Sequence, residues 1–292
     1  MREKVTKSAY AKINLTLEVF PPRGDGYHGV ETVMHKISLC DTVTVTPNNT
    51  GAVHVSCSKD VCAERDNLAY RAAEAFYRTL GIDGGCDICI EKVIPDKAGL
   101  AGGSADAAAV IDALAEIYDV ADDGALDGIC KSLGSDIVFC REKYVCAKAT
   151  GRGEIILPCR PLAKMHVLIA VPDAGLSTRE IYAEYDRCGV YPEYCDGITA
   201  TEKLVGKLSA GESISQCDTQ NSFEPVCASL APKIGEVIKL LQKTDAEVVR
   251  MSGSGSAVYA LYRESAACKA AKSLLKTLDG LRFCGKYETL GE

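Results

Sequence analysis

The chain has 292 residues, 47% of them hydrophobic, with 33 Lys plus Arg against 40 Asp plus Glu and a formal net charge of -7. That length can bury a sizeable core and accommodate two domains, and an acidic balance without a long basic block argues against a nucleic-acid binder. No apolar run reaches the length of a membrane span, and the opening MREKVTKSAYAKINLTLEV lacks an extended apolar h-region, so a cytoplasmic protein is expected.

In chain order, Ala9–Val19 alternates as a strand, with Ile13, Leu15 and Leu17 on one face and Lys12, Asn14 and Thr16 on the other. Taken alone, that second face reads as a half-exposed edge. Pro21–Tyr27 breaks the pattern with two prolines and two glycines, a loop long enough to line a pocket. Val33–Thr46 and Ala52–Ser58 read as strands, Asn67–Leu80 has helical spacing, and Asp87–Val93 is a strand that feeds a glycine-rich loop.

That loop, Pro95–Ala109, is the densest signal in the chain: small residues from Ala98 to Gly103, broken by Leu100, run into Ser104 and a helix-forming segment. Glycines let backbone approach a ligand closely. A helix starting near Ser104 aims unpaired N–H groups into the loop, with Asp106 expected in its first turn. The spacing fits neither the P-loop, since no lysine follows the last glycine, nor a dinucleotide fingerprint. An anion-binding turn follows; its ligand does not.

After it come a helical stripe from Ala107 to Tyr118, a short helix at Ala125–Leu133, Gly134-Ser135-Asp136, a strand-like Ile137–Cys140, and strands around Gly151-Arg152-Gly153. Composition offers a boundary near Arg160–Ala163. Beyond it the pattern gives a strand at Met165–Val171, a helix over Ser177–Tyr185 and a polar stretch at Tyr191–Gly197. Helices follow near Thr199–Leu208 and Ile234–Lys243, then strands at Glu247–Met251 and Ala257–Tyr262 joined by SGSGS, and a helix at Ser265–Leu275. Strands mixed with helices argue an α+β fold.

The 15 cysteines, odd in number and without a signal sequence, read as small core residues in a reducing compartment. Cys86 and Cys89 have CxxC spacing, but strand alternation puts them on opposite faces and no second pair lies nearby. His28, His35, His54 and His166 show no ligand spacing for a transition metal.

Three separated motifs now align: AKINLTL at Ala11–Leu17, GLAGGSADAA at Gly99–Ala108 and SGSGSAVYA at Ser252–Ala260. Together they resemble the signatures of the GHMP small-molecule kinases. DGYH at Asp25–His28, DNL at Asp66–Leu68, LGSD at Leu133–Asp136, LST at Leu176–Thr178 and NSFEP at Asn221–Pro225 resemble the branch that acts on a cytidyl-diphosphate substrate in the non-mevalonate route to isoprenoids. The resemblance implies a two-lobed α+β fold: an N-terminal lobe over residues 1–160 with the ATP phosphate loop, a C-terminal lobe over 161–292, and an active-site cleft between them.

For the site it implies ATP as phosphoryl donor with Mg²⁺ carried between phosphate oxygens rather than by direct protein ligands. Lys12 and Asp136 are the catalytic pair, their charged groups expected to approach one another. Asn67, Lys97, Gly99, Leu100, Gly102, Gly103 and Ser104 take ATP. Asn14, Tyr27, His28 and Tyr182 take the cytidyl-diphosphate small molecule, with Tyr27 and Tyr182 on opposite faces of the base. Asp106, Ser254 and Gly255 support. No nucleic acid or membrane partner is implied, and a weak homodimer is expected. From the residues alone, Asn67 also reads as part of a helix cap, Asp136 as a turn or cap residue, and Tyr182 as a packing tyrosine. Two departures stand out: Lys97 where the family usually has Gly or Ala, and Val138 where it commonly has Pro. Another GHMP kinase, or a catalytically silent ligand binder of the same fold, remains the alternative.

Overall fold

The structure is a computed structural model describing residues 3–59, 62–121, 124–192 and 197–291. Its first elements are β1 (Val5–Pro22), β2 (His28–Asn48), β3 (Val53–Cys57), α1 (Leu68–Leu80), β4 (Gly85–Glu91), α2 (Gly102–Tyr118), α3 (Ala125–Leu133) and α4 (Ser135–Arg141). Then come β5 (Cys146–Thr150), β6 (Ile155–Pro158), β7 (His166–Pro172), α5 (Thr178–Cys188), α6 (Ala200–Ala210), β8 (Gln220–Asn221) and α7 (Glu224–Leu230). The chain closes with α8 (Pro232–Leu241), β9 (Val248–Met251), β10 (Val258–Tyr262), α9 (Ser265–Leu275) and β11 (Leu281–Glu288). This is a two-lobed α+β architecture with mixed and antiparallel sheets.

Two compact units account for the chain: Met1–Ala11 with Leu39–Asp96 and Ala101–Lys143, and Lys12–Ser38 with Lys97–Leu100 and Tyr144–Glu292. The long strands β1 and β2 contribute residues to both. Neither unit is a contiguous half of the chain, and the division into 1–160 and 161–292 is kept as a proposal.

In the first unit, Thr42–Asn48 of β2 runs antiparallel to β4, and β3 runs parallel to β4. Helices α1 to α4 pack on one another. The α1 ends are written in the sequence: Asn67 accepts from Ala69 N–H at 2.9 Å as N-cap, and Gly81 closes the helix in the left-handed region at φ 63. Helix α2 is buried almost all round, from Ala105 to Ile111 and at Ala113, Leu114 and Ile117. Its small residues let it sit between α1 and α4. Cys86 is buried and Cys89 exposed, as alternation requires.

In the second unit, Thr32–His35 of β2 pairs with β5, β5 with β6, and Thr16–Leu17 of β1 with β8. A separate antiparallel sheet has the order β11-β7-β10-β9. Helices α5, α7, α8 and α9 cover a core of Leu168, Ile181, Tyr185, Phe223, Val237 and Tyr262 among others. Reciprocal capping boxes, Ser177 with Glu180 and Thr199 with Glu202, start α5 and α6.

Four local expectations are corrected. Ile137–Cys140 is helical, forming part of α4, which follows α3 across Gly134 and packs on α2 and α3. Helix α2 begins at Gly102, two residues before Ser104, with Ala101 at φ 57 making the turn. Asp106 therefore lies beyond the first turn. The polar face of β1 is no edge: Lys12, Asn14, Thr16 and Glu18 are all buried. Elements β8, α7 and β11 are additional to the sequence reading. Of the polar stretch Tyr191–Gly197, residues 193–196 lie outside the described residues.

Candidate active site

A buried polar face needs internal partners, since an unpaired buried polar group costs about 1–3 kcal/mol. On β1 those partners form a chain. Lys12 Nζ donates to Asn14 Oδ1 at 2.7 Å, Asn14 Nδ2 donates to Thr32 Oγ1 at 2.8 Å, and that hydroxyl donates to the Thr16 carbonyl at 2.5 Å. Further along, Glu18 accepts from Ala200 and Thr201 N–H at 3.1 and 2.8 Å, holding the start of α6.

The glycine-rich turn docks on the same strand. Lys12 N–H donates to the Leu100 carbonyl at 3.1 Å, and Ala257 N–H to the Ala98 carbonyl at 3.0 Å. Ser252 Oγ donates to the Gly99 carbonyl at 2.9 Å and accepts from Asn14 N–H at 3.3 Å. Gly99 has φ 76, and a Cβ there would stand 2.1 Å from the Ser252 carbonyl oxygen. Lys12–Leu17, Gly99–Leu100 and Ser252–Ala260, a piece of each motif, thus meet in one compact unit, at an approach that needs glycine at position 99. The SGSGS turn is itself fastened by Asn221, whose Nδ2 donates to the Met251 and Gly253 carbonyls at 2.9 Å each. Gly255 takes φ 85, and Ser254 Oγ lies 2.9 Å from Thr178 Oγ1.

Leu100 is buried and serves through its backbone, whereas Lys97 is exposed and left-handed at φ 46. Past Leu100 the chain enters α2. Gly102 lies over Lys92, whose Nζ would be 3.1 Å from an added Cβ; Gly103 is exposed, and Ser104 is half-buried in the first turn. The first-turn N–H groups of such a helix carry a partial positive charge suited to phosphate.

Asp106 is buried and paired: Lys92 Nζ donates to it and to Asp41 at 2.6 Å each. Burial raises the Asp106 carboxyl to about 7, Lys92 opposing and Asp41 reinforcing the rise. For Lys92, burial alone would lower the pKa, but Asp106 and Asp41 outweigh it and raise it.

Asp136 is half-buried in the first turn of α4, where a carboxylate is favoured by the helix end. Its unit is not that of Lys12. Asn67 spends its Oδ1 on the α1 cap.

Tyr27 is 54% exposed, its N–H donating to Asp25 Oδ1, and the Arg152 guanidinium lies 4.6 Å from its ring centroid. His28 donates from Nδ1 to the Phe20 carbonyl at 2.7 Å, and its Nε2 sits 3.3 Å from Asp186 Oδ1. Tyr182 is half-buried, 5.1 Å from the His28 ring and edge-on to Phe223 at 4.7 Å. Both ring nitrogens of His28 are therefore engaged by the protein, and Tyr182 takes part in packing.

Sequence reasoning missed Thr32, Ser252, Lys92 and Asp41. Asp41 left a signal, as a single charge set in the apolar strand sequence LCDTV, whereas Lys92 stands beside Glu91 in IEKVI. Among the described residues, no helix is long and apolar enough to cross a membrane.

The GHMP kinases N terminal domain matches residues 67–140 and the GHMP kinases C terminal domain residues 202–280. A 4-diphosphocytidyl-2-C-methyl-D-erythritol kinase of Salinibacter ruber is 36% identical over 287 residues, covering 94% of this chain and 96% of the relative. One from Desulfitobacterium hafniense is 38% identical over 263 residues, covering 89% and 88%. A crystal structure of 4-(cytidine 5'-diphospho)-2C-methyl-D-erythritol kinase superposes with a TM-score of 0.80 at 31% identity, covering 97% of this chain and 99% of that one. An L. major mevalonate kinase structure shares the fold alone, with a TM-score of 0.76 at 14% identity and coverage of 100% and 98%. With its three motifs brought to β1 and nearly its whole length matched by such relatives, the chain belongs to the GHMP kinase superfamily, a family of ATP-dependent kinases, and closely matches the 4-diphosphocytidyl-2-C-methyl-D-erythritol kinases within it.

Proposed function

We propose that this chain transfers the γ-phosphoryl group of ATP to the 2-hydroxyl of 4-diphosphocytidyl-2-C-methyl-D-erythritol, giving the 2-phosphate and ADP. The observation that carries the reading is identity of 36% across 94% of the chain with a kinase of that name. The buried array on β1 supports it, because a lysine held by hydrogen bonds on a strand is pre-aimed rather than flexible.

In this reading the acceptor oxygen attacks phosphorus, the bridging P–O bond to ADP breaks, and the hydroxyl proton passes to Asp136. A carboxylate suffices because the proton leaves as the new bond forms. Lys12 holds the attacking oxygen and the charge near it. The α2 turn at Gly102, Gly103 and Ser104 holds the phosphates by N–H donors, with Lys97 free to reach them from the loop and Asn67 near the adenosine. Gly99, Leu100, Ser254 and Gly255 shape the turn. Tyr27 and Tyr182 stack on cytosine, and His28 and Asn14 orient the rest of that substrate. Stacking on Tyr27 displaces Arg152 or uses the opposite ring face.

Mg²⁺, when bound with the nucleotide, neutralises phosphate charge. Among the described residues no group of three or more His, Cys, Asp or Glu side chains could hold a metal.

Incubation with ATP, Mg²⁺ and the cytidyl substrate should release ADP and place phosphate on the 2-hydroxyl. A panel containing homoserine and mevalonate reads the competing specificity. Turnover of one of those in preference, or none at all, overturns the reading.

A further inference from the structure

Lys92 directly follows β4, Asp41 lies within β2 and Asp106 sits in the second turn of α2. Their side chains are nearly inaccessible, at 4%, 0% and 4% exposure. Asp41 does more than pair with Lys92, since its Oδ1 also accepts from Val93 and Ile94 N–H at 2.5 and 2.8 Å. The segment leading into the glycine-rich loop is thereby tied to β2. Asp106 Oδ1, by contrast, is buried with no hydrogen-bond partner. One positive charge thus faces two carboxylates beneath Gly102, where an added Cβ would stand 3.1 Å from Lys92 Nζ and 2.9 Å from Ile94 Cγ2.

We propose that Lys92, Asp41 and Asp106 form a buried support that fixes the first turns of α2 and sets, through its own charge, how tightly that turn holds a polyphosphate. The inference rests on the nucleotide reading above. With both carboxylates ionised the cluster carries one net negative charge beneath the N–H donors, which opposes an anion there. With a proton on the unpartnered Asp106 oxygen it is neutral, and the helix end acts unopposed.

The sign follows from the titration. Asp106 is raised to about 7, and the charged groups acting on it are Lys92 and Asp41. The neighbouring Cys40 thiol is itself raised by burial and by Asp41. Below 7 the support is neutral, above it negative, so polyphosphate affinity falls as pH rises. By linkage, binding near pH 7 draws a proton onto Asp106. Asp106 is a positioning residue: it acts on the ligand through the helix turn it supports.

The test is calorimetric titration of Mg²⁺-ADP into the full-length protein and Asp106→Asn at pH 6 and pH 8. The parent should lose about fivefold more affinity than the variant over that interval, the low end of site-to-site coupling. Parallel pH dependence of two well-binding proteins overturns the role while leaving the nucleotide reading intact. Failure of both to bind at pH 6 overturns the nucleotide reading and this role with it. Should Asp106→Asn not fold, the parent alone decides, from titrations at pH 7 in buffers of different ionisation enthalpy. Net proton uptake on binding supports the role. Net release, the sign expected from bound phosphate alone, overturns it.

Discussion

Lys12 and Asn14 lie two residues apart on one face of β1, and the Lys12 ammonium donates to the Asn14 side-chain oxygen at 2.7 Å with both residues buried. Asn14 is anchored in turn by Thr32, by Ser252 and, through its carbonyl, by the Tyr259 hydroxyl at 2.9 Å. The amide thus aims the lysine, and a side chain first assigned to substrate has a second task in holding Lys12.

Replacing Asn14 by Ala should therefore damage chemistry more than folding. Turnover is expected to fall about 10²-fold, the cost of a misplacement near 1 Å. Loss of the buried hydrogen bonds should cost about 1–3 kcal/mol of stability. Paired kcat and denaturant-unfolding measurements check this; a variant with parent turnover would remove Asn14 from the aiming of Lys12.

Asp136→Asn keeps the shape of the α4 turn and removes its proton acceptor. The expected result is turnover lower by about 10²-fold or more with ATP affinity nearly unchanged. Unchanged turnover would exclude proton transfer to Asp136.

Gly99 and Gly103 should respond in opposite ways to alanine. Gly99→Ala puts a Cβ 2.1 Å from the Ser252 carbonyl at φ 76, so it should destabilise the protein. The left-handed conformation alone costs about 1–2 kcal/mol. Gly103→Ala meets only Leu68 at 3.6 Å and should leave stability intact or raise it. Its methyl group should nevertheless weaken ATP by crowding the phosphate turn. Thermal unfolding with ATP titration separates the two, and a harmless Gly99→Ala would contradict the packing of the three motifs.

Tyr182→Ala should weaken the cytidyl substrate by about 1–3 kcal/mol, by analogy with base–aromatic stacking, and leave ATP binding alone. Because Tyr182 also meets Phe223 edge-on at 4.7 Å, stability must be measured beside both titrations. Normal binding of both ligands rejects the stacking role, whereas unfolding favours packing.

His35 supplies a stability prediction. Its ring is fully buried, Nδ1 donates to the Lys36 carbonyl at 2.8 Å, and Nε2 accepts from Leu162 N–H at 3.1 Å. Burial lowers its pKa from 6.5 to about 4 against a smaller opposing effect of the Lys36 carbonyl. The folded state holds the neutral ring, so its contribution is complete above 6.5 and is lost as pH falls towards 4. The loss is on the order of 3 kcal/mol. Urea unfolding at pH 7 and pH 4.5 should show a steeper decline for the parent than for His35→Gln; equal declines would count against it.

The sequence by itself determined the local elements and the chemical inventory. Alternation at Ile13, Leu15 and Leu17 gave β1, helical spacing over Asn67–Leu80 gave α1, and glycine density marked the turn before α2. Those signals are local, carried by period and by caps within a few residues. The ordered motifs also gave the family, because a set spread from residue 11 to residue 260 is hard to meet by chance. Tertiary structure alone decided that the polar face of β1 is buried, since exposure depends on Thr32, Thr201 and Ser252, which lie 18, 185 and 238 residues from their partners on that strand. It alone made Ile137–Cys140 helical, where four residues are too few for periodicity to choose between strand and helix. It also gave Asp106 its partners, because a carboxylate near a helix start looks alike whether it faces water or, as here, a lysine buried beneath the helix.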